Sequence, residues 1–471
     1  MKSINLTEGS ILKALCALSV PIVFSNLLQS AYQITDTFWV GRLSAQAVAA
    51  VSLSFPISFL LMAIGGGLPM AGAILVAQYK GKGDTDSVNH TAVQTFIFVF
   101  CIAVVLSSLG YFSAEHIMRF MGAESEILPD ATLFLRISFL GYLFVFTFFV
   151  FESLMRGLGE VMIPLRIVMA TVLLNLILDP LFIFGFGPIP AMGVAGAAMA
   201  TFCTQALAAF LGMLILLKGK YGIFVHLKDV KPDFSFMKKA FFLGLPSSIE
   251  QSTRALGMTV MTLLTASFGT MVVAAYGIGI RMLILVIIPA LGLSIATSAF
   301  VGQNIGAGKV DRAQKATIIG AAFGFVVLTF FGFLLFTFAR PLTEFFIPEG
   351  GEATDMAVTF LRIISPSFGF ISIQMVINGT FRGAGLTTAA MTMAIVSQWV
   401  LQFPLAYIFS HHFGFGPTGI WWSFPITNVV AAIIGTLWFF KGDWKRKNLL
   451  ADMQLKRSVR DTVVTEEGVV R

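Results

Sequence analysis

Four polar side chains recur along the first apolar run of the sequence, within the segment NLLQSAYQITD. They are Asn26, Gln29, Gln33 and Asp36, which are spaced by three, four and three residues. This period places all four on one face of an α-helix. Ionisable groups inside a membrane span are costly unless they are paired, hydrated or neutralised. The stripe therefore favours a site that binds a proton or a cation; the alternative is that Asp36, 25 residues after Ile11, lies at the membrane interface.

A second carboxylate and amide occur later, in the segment NLILDPLFIFG. Asn175 and Asp179 are four residues apart, so they share a helix face. Pro180 has no backbone N–H, which leaves a carbonyl free one turn earlier and invites a bend. Near Asp36, desolvation and like-charge repulsion would favour uptake of a proton. The same oxygens, with a hydroxyl such as that of Thr201, could equally bind Na⁺.

Other charged residues inside apolar runs have simpler explanations. Glu152 precedes Arg156 by four residues, so an ion pair between them and membership in the coupling site are both open. Glu250 and Arg254 have the same spacing and could neutralise each other. Arg281 has no partner that the sequence identifies.

Amides also pair on two later runs, Gln374 with Asn378 and Gln398 with Gln402, where interhelical hydrogen bonds explain them as well as substrate contact does. The candidates for proton or cation coupling are Asp36, Asp179, Asn175, Gln29, Glu152 and Thr201. The weaker candidates for substrate contact are Gln33, Asn26, Arg281, Gln374 and Asn378. A Na⁺ site, if present, would use Asp36, Asn175 and Asp179.

The elements that position these residues are membrane helices. Of the 471 residues, 57% are hydrophobic and 12% are charged, and the mean hydropathy is +0.87. An average soluble domain carries about 25% charged residues, so a soluble globular protein is excluded. Apolar runs long enough to cross a bilayer predict twelve spans, near residues 11–40, 46–79, 91–113, 130–155, 162–186, 191–217, 240–267, 271–303, 314–338, 355–380, 386–410 and 417–440.

Charge predicts the orientation and excludes other classes. Most of the 31 Lys and Arg residues fall at the end of the spans that carries both termini, which places the termini in the cytoplasm of a cell (inner) membrane. The net charge of +7 follows this pattern, so it does not indicate nucleic-acid binding. The three cysteines and five histidines form no metal or catalytic motif, and GQNIGAGKV lacks the Gly and Ser/Thr of a P-loop. We expect no enzyme activity and no cofactor.

The sequence also repeats itself. LSVPIVFSNLLQS (18–30) aligns with LGLPSSIEQSTRA (243–255), and VAQYKGKGD (76–84) aligns with VGQNIGAGK (301–309) without a gap between them. We predict an all-α integral membrane protein with twelve transmembrane helices in two six-helix lobes, related by pseudo-two-fold symmetry about the membrane normal. The lobes would cover residues 1–217 and 240–440, joined by a basic linker (218–239) and followed by a basic tail (441–471).

The motifs that carry these repeats resemble those of the multidrug and toxin extrusion (MATE) antiporters. They are TDTFWVGRL (35–43), the two glutamine motifs above, RGLG (156–159), RGAG (382–385) and NLILDPLFIFG (175–185). The resemblance implies export of amphipathic, mostly cationic organic compounds in exchange for H⁺ or Na⁺. It also implies a role for Asp36, Asn175 and Asp179, as in the DinF-like branch. Arg254 and Ile371 stand near the acidic positions of another branch.

We expect the partners to be small organic molecules and the lipid bilayer, with no nucleic acid, and the chain to be a monomer. A lipid-linked-glycan or lipid flippase of a related superfamily is the alternative. Such proteins tend to need several cationic side chains to hold a pyrophosphate, and only Arg254 and Arg281 are candidates. The carboxylates therefore favour a cationic cargo.

Overall fold

The computed structural model describes residues 5–219, 221–224, 230–346, 350–447 and 449–451. The first half forms α1 (Ile11–Gly41), α2 (Ala45–Ser52), α3 (Phe55–Lys82), α4 (Thr85–Phe120), α5 (Leu128–Leu158), α6 (Met162–Phe184) and α7 (Val194–Leu217). The second half forms α8 (Phe234–Ala266), α9 (Thr270–Gly306), α10 (Val310–Thr337), α11 (Ala339–Phe346), α12 (Glu352–Ile364), α13 (Phe368–Gly383), α14 (Thr387–Ile395), α15 (Phe403–Tyr407), α16 (Pro417–Lys441) and α17 (Asp443–Arg446).

The helices confirm the predicted fold class. Within the described residues, eleven helices are long and apolar enough to cross a membrane. The remaining predicted span, the seventh (240–267), corresponds to α8, which has 33 residues and is less apolar because polar residues such as Glu250 and Arg254 interrupt it. Its length of about 50 Å, at 1.5 Å per residue, is ample for a bilayer. The lower hydropathy of α8 therefore reflects polar groups that the lobes bury.

Three predicted spans are less regular than the sequence suggested. The second consists of α2 and α3, which separate at Leu53 and Ser54 just before Pro56. The tenth bends through a 3-10 turn at Ser365–Ser367 between α12 and α13. The eleventh contains π-helical segments at Val396–Gln402 and Ile408–His412 on either side of α15. Prolines account for the first two breaks, since each lies at the start of a new helical segment.

Each half has its own apolar core, and two helices of each half form the contact between them. One core is centred on α3, α4 and α5, and another on α9, α12, α13 and α16. Helix α3 packs against α8, and α1 packs against α9. In the repeat α1 corresponds to α8 and α3 to α9, so each contact is the counterpart of the other. The interface therefore has the two-fold character that the repeat predicts.

The lobes are joined at the basic end, which we define as the end where α3 and α9 finish and where Lys80, Lys82 and Lys309 lie. The Gln78 side chain donates a hydrogen bond of 2.9 Å to the Gly383 carbonyl. The Gln303 side chain donates one of 2.9 Å to the Gly157 carbonyl. Each bond crosses between the lobes, and the repeat aligns one with the other.

Two glycines let the same helices come close. A Cβ atom added at Gly81 would lie 1.9 Å from the Gln303 carbonyl oxygen, and one added at Gly306 would lie 1.9 Å from that of Gln78. Real side chains do not occupy such positions, so any larger residue would force the helices apart. Gly81 and Gly306 are therefore packing residues at the interface between the lobes.

Segments outside the helices also cover the basic end. Leu6 is buried in a cluster with residues of α1 and α9, and Arg312 donates 2.8 Å to the Glu8 carbonyl. The Gln94 side chain binds the linker at Lys231 and Asp233, at 2.7 and 2.8 Å. Parts of the predicted linker (220 and 225–229) and most of the predicted tail (448 and 452–471) lie outside the described residues.

Candidate functional site

A cavity of about 200 Å³ lies inside the N-terminal lobe, among α1, α3, α5, α6 and α7. Its wall is mainly apolar and aromatic, and it includes Tyr32, Phe55, Phe59, Phe134, Tyr142, Phe148, Phe149 and Phe202. Its polar groups include Gln29, Gln33 and Asp36 of α1, with Thr201 and Gln205 of α7. A mostly apolar concavity with a few converging polar groups is the usual form of a small-molecule site.

Two carboxylates meet beside this cavity: Asp36 lines it, whereas Asp179 and its neighbour Asn175 are not part of the lining. Asp36 of α1 and Asp179 of α6 lie close enough to share a hydrogen bond if one of them carries a proton. The Asn175 side-chain N–H donates 2.9 Å to Asp179 Oδ1, and both of these residues are fully buried. Like charges at this distance repel strongly in a medium with little water. A proton or a cation between the two carboxylates would reduce this repulsion.

Several oxygens in this cluster lack a donor. Asp36 Oδ1, Asp179 Oδ2 and Asn175 Oδ1 are buried without a hydrogen-bond partner in the described part of the chain. Buried acceptors are almost always satisfied, so three unsatisfied oxygens in one place require an explanation. Oxygen-only coordination suits a hard cation, and a single added proton would satisfy the two carboxylates. These residues therefore fit either H⁺ or Na⁺.

Hydroxyl groups from α1 and α7 complete the cluster. Thr201 donates 3.1 Å to Asp36 Oδ2, as expected for a hydroxyl at this site. The Tyr32 and Thr204 hydroxyls lie 2.7 Å apart and are both buried. Tyr32 is one turn before Asp36 on the same helix face. Its sequence position could have identified it, but an aromatic residue in an apolar run is usually a packing residue.

The other coupling candidates have different surroundings. Gln29 lines the cavity, as does the weaker candidate Gln33, whereas Asn26 lies outside its lining. Glu152 is buried and forms an ion pair with Arg156. It does not line the cavity, so the ion-pair alternative left open by the sequence is the one that the structure shows.

The weaker substrate-contact candidates of the second half lie in the C-terminal lobe, away from this cavity. Arg281 is exposed on α9. The Gln374 side chain donates 2.6 Å to Ser397 Oγ. Asn378 is fully buried, and its amide has no partner among the residues that the structure describes. The expected pair of Glu250 and Arg254 is present at 3.0 Å.

The sequence did not predict that Arg382 also contacts the Glu250 carboxylate. Arg382 lies 3.3 Å from Glu250, from which it is separated by 132 residues, and donates 2.7 Å to Ser294 Oγ. No group of three or more His, Cys, Asp or Glu side chains that could hold a metal ion was found among the described residues.

Comparisons with known proteins agree with this architecture. The MatE family model matches residues 21–181 and again 246–408, which is well over half of the chain and one match for each lobe. The probable multidrug resistance protein YpnP of Bacillus subtilis is 28% identical over 96% of this chain and 100% of its own length. The probable multidrug resistance protein NorM of Thermotoga maritima is 26% identical over 94% of this chain and 95% of its own length.

Solved structures are similar over nearly the whole chain. An outward-facing multidrug resistance MATE family transporter of the MOP superfamily has a TM-score of 0.86, is 26% identical and covers 93% of this chain and 97% of its own. A MOP superfamily transporter from Pyrococcus furiosus gives the same values.

Proposed function

The chain belongs to the MatE family, and we propose that it is a secondary active multidrug efflux transporter that exchanges amphipathic, mostly cationic organic compounds for H⁺ or Na⁺. Relatives that align over their full or nearly full length are named as probable multidrug resistance proteins. The observation that carries the coupling is the set of unsatisfied oxygens on Asp36, Asp179 and Asn175 beside an aromatic cavity.

The chemistry of exchange follows from competition for one negative site. With one proton or Na⁺ between Asp36 and Asp179, the pair carries one negative charge instead of two, and the cavity attracts an organic cation less strongly. Loss of that ion restores the negative charge beside the aromatic wall, where a flat cation gains Coulomb and cation–π energy. Binding of the ion and of the substrate therefore oppose each other, which is the linkage that an antiporter requires.

Movement of the two lobes would expose the site to each side in turn. The contacts through Gln78 and Gln303 hold the lobes together at the basic end. We assign that end to the cytoplasm of the cell (inner) membrane, because Lys and Arg concentrate there. Breaking these contacts while the opposite ends approach would open the cleft to the cytoplasm, as expected for two repeats that are related by an axis along the membrane normal and rock against each other.

The ion gradients are sufficient for export. One proton gains about 1.36 kcal/mol per unit of pH difference, and each net charge gains about 2.3 kcal/mol per 100 mV. One or two protons per cycle can therefore sustain a 10- to 100-fold concentration ratio of substrate, since tenfold costs about 1.4 kcal/mol. We propose a monomer in the bilayer that acts without a cofactor or nucleic acid and has no enzymatic step.

The test of this function is efflux by the Asp36→Asn variant, which keeps the shape of the side chain but cannot ionise. We expect the variant to lose export of a fluorescent organic cation from cells and substrate-induced proton release in vesicles. Asp130→Asn is the matched control, because Asp130 is exposed in the first turn of α5. Undiminished export by Asp36→Asn at equal expression would refute the coupling role.

A further inference from the structure

The C-terminal lobe has the opposite polarity at the positions that line the cavity of the N-terminal lobe. In the ungapped repeat around Pro21 and Pro246, cavity-lining Gln29 corresponds to Arg254, and Asp36 corresponds to Met261. The carboxylate of the first lobe thus has no counterpart in the second, and a cation stands where the first lobe has a neutral amide.

A second position of the cavity wall also becomes more polar in the C-terminal lobe. FLRI occurs at 134–137 and at 360–363, at the same offset as RGLG (156–159) and RGAG (382–385), so α5 aligns with α12 and α13 without a gap. This alignment places Gln374 opposite Phe148 of the cavity wall. An aromatic wall residue is thereby replaced by a hydrogen-bonding amide. In this structure that amide reaches Ser397 of the π-helical segment at 2.6 Å.

The positive charge of Arg254 is not fully balanced by Glu250, because Arg382 shares the same carboxylate. Arg382 already lies 3.3 Å from Glu250 Oε1 and 3.4 Å from Oε2, and its side chain is only 10% exposed. Arg254 bonds the same Oε1 at 3.0 Å, and its side chain is 33% exposed. One carboxylate therefore faces two guanidinium groups. The cluster carries a net positive charge, and Arg254 is its accessible member.

One further hydrogen-bonding group contacts α8 at Gly257, one helix turn after Arg254. The Gln398 side chain packs against α8 at Gly257, where an added Cβ atom would be 2.3 Å from the amide carbon. Gly257 therefore makes room for this amide. Gln398 and Ser397 belong to the π-helical segment Val396–Gln402. Such segments are rare and frequently mark functional sites, because they re-aim side chains at the cost of regular helix geometry.

We propose that Arg254, with the amides of Gln374 and Gln398, forms a subsite that takes the carboxylate or other anionic group of a transported amphipathic compound. The inference rests on the proposed transport function and assigns the contact for the anionic end of a zwitterion to Arg254 of the C-terminal lobe. A guanidinium offers several N–H donors in a planar fork that matches a carboxylate, and the amides supply further donors. The two lobes would then recognise opposite ends of a zwitterion, its cation at Asp36 and its anion at Arg254.

The charge of Arg254 decides which compounds benefit. A substrate carboxylate would add the second negative charge that the Glu250, Arg254 and Arg382 cluster lacks. The corresponding ester has the same ring system but cannot supply this charge, so it gains nothing from Arg254. A rhodamine with a free carboxyl group and its ethyl ester form such a pair of probes.

The experiment measures equilibrium binding of both dyes to the purified full chain in detergent by fluorescence anisotropy, with protein-free micelles as the blank. We expect wild-type protein to bind both dyes. Arg254→Gln, which installs the residue of the matching Gln29 position, should weaken binding of the acid at least tenfold and change binding of the ester less than twofold. Arg254→Lys, which keeps the charge but not the fork, should weaken binding of the acid to an intermediate degree.

Arg119→Gln is the control for charge removal elsewhere, because Arg119 is exposed and pairs with Glu115. Equal effects of Arg254→Gln on both dyes, or no effect on either, would overturn the subsite. Binding of the ester but not of the acid by wild-type protein would also overturn it and leave the transport proposal standing. If wild-type protein binds neither dye, the transport proposal itself fails. Should Arg254→Gln not fold, a result for Arg254→Lys equal to wild type on the acid would count against the subsite.

Discussion

The two glutamines that join the lobes at the basic end provide a direct test of how the lobes move. Gln78→Ala and Gln303→Ala each remove one interlobe hydrogen bond of 2.9 Å. The accepting carbonyls of Gly383 and Gly157 lie in the last turns of α13 and α5, where no helix N–H can replace the lost donor. Both changes should therefore weaken closure of this end without disturbing either lobe.

The structure sets the size of the effect. A net hydrogen bond is worth about 1 kcal/mol, and a buried acceptor left without a donor costs about 1–3 kcal/mol. Each variant should therefore shift the equilibrium between closed and open basic ends by about five- to tenfold or more, since 1.4 kcal/mol is tenfold. The two bonds use different residues, so the double variant should shift it by roughly the product of the single effects.

Double electron–electron resonance can measure the shift. Spin labels at Lys82→Cys and Lys315→Cys would report the distance between exposed positions on the two lobes, in a background with the three native cysteines replaced by serine. We expect a new population at longer distance in each variant and a larger one in the double variant.

Gln314→Ala is the matched control for these labels, because the Gln314 side chain accepts 2.7 Å from Lys445 of the tail and not from the N-terminal lobe. This variant should leave the distance distribution unchanged. A double variant of Gln78 and Gln303 that keeps the wild-type distribution and transport rate would refute the closure role of both glutamines.

Two further predictions concern single clusters. Tyr32→Phe removes the hydroxyl that lies 2.7 Å from the Thr204 hydroxyl. We expect this variant to weaken ion coupling while it changes equilibrium binding of an organic cation by less than about threefold. Coupled proton release at the wild-type rate would contradict this prediction. Glu250→Gln leaves buried Arg382 unpaired and should destabilise the protein by about 3–5 kcal/mol, whereas Arg254→Gln should cost about 1 kcal/mol or less. Thermal unfolding in detergent checks the order, and equal losses would contradict the assignment of Glu250 to Arg382.

Much of the fold could be predicted from the sequence because its signals are local or repeated. Run lengths fixed the spans, and the repeat predicted that Gln78 and Gln303 occupy equivalent positions. It could not show that each glutamine crosses to the other lobe, because that depends on how the lobes pack. The low hydropathy of α8 is likewise explained only by the polar contacts that it makes within the protein.

The candidate site was partly predictable for the same reason. The spacing of Asp36 on one helix and of Asn175 with Asp179 on another marked three of its members, and a hydroxyl such as Thr201 was expected beside them. Tyr32 was missed because an aromatic side chain in an apolar run carries no polar signal. Arg382 was missed because its partner Glu250 is 132 residues away, and pairing at that distance leaves no periodic pattern in the sequence.

The most direct measurement of the central claim is efflux from proteoliposomes with a pH gradient or a Na⁺ gradient imposed separately. The probe is a fluorescent organic cation, and wild type is compared with Asp36→Asn. We predict that at least one gradient drives wild-type protein to concentrate the cation, and that Asp36→Asn abolishes this while retaining its fold by size-exclusion chromatography. Concentration of the cation by Asp36→Asn to the wild-type level, or no response of wild-type protein to either gradient, would contradict ion exchange at the carboxylate pair.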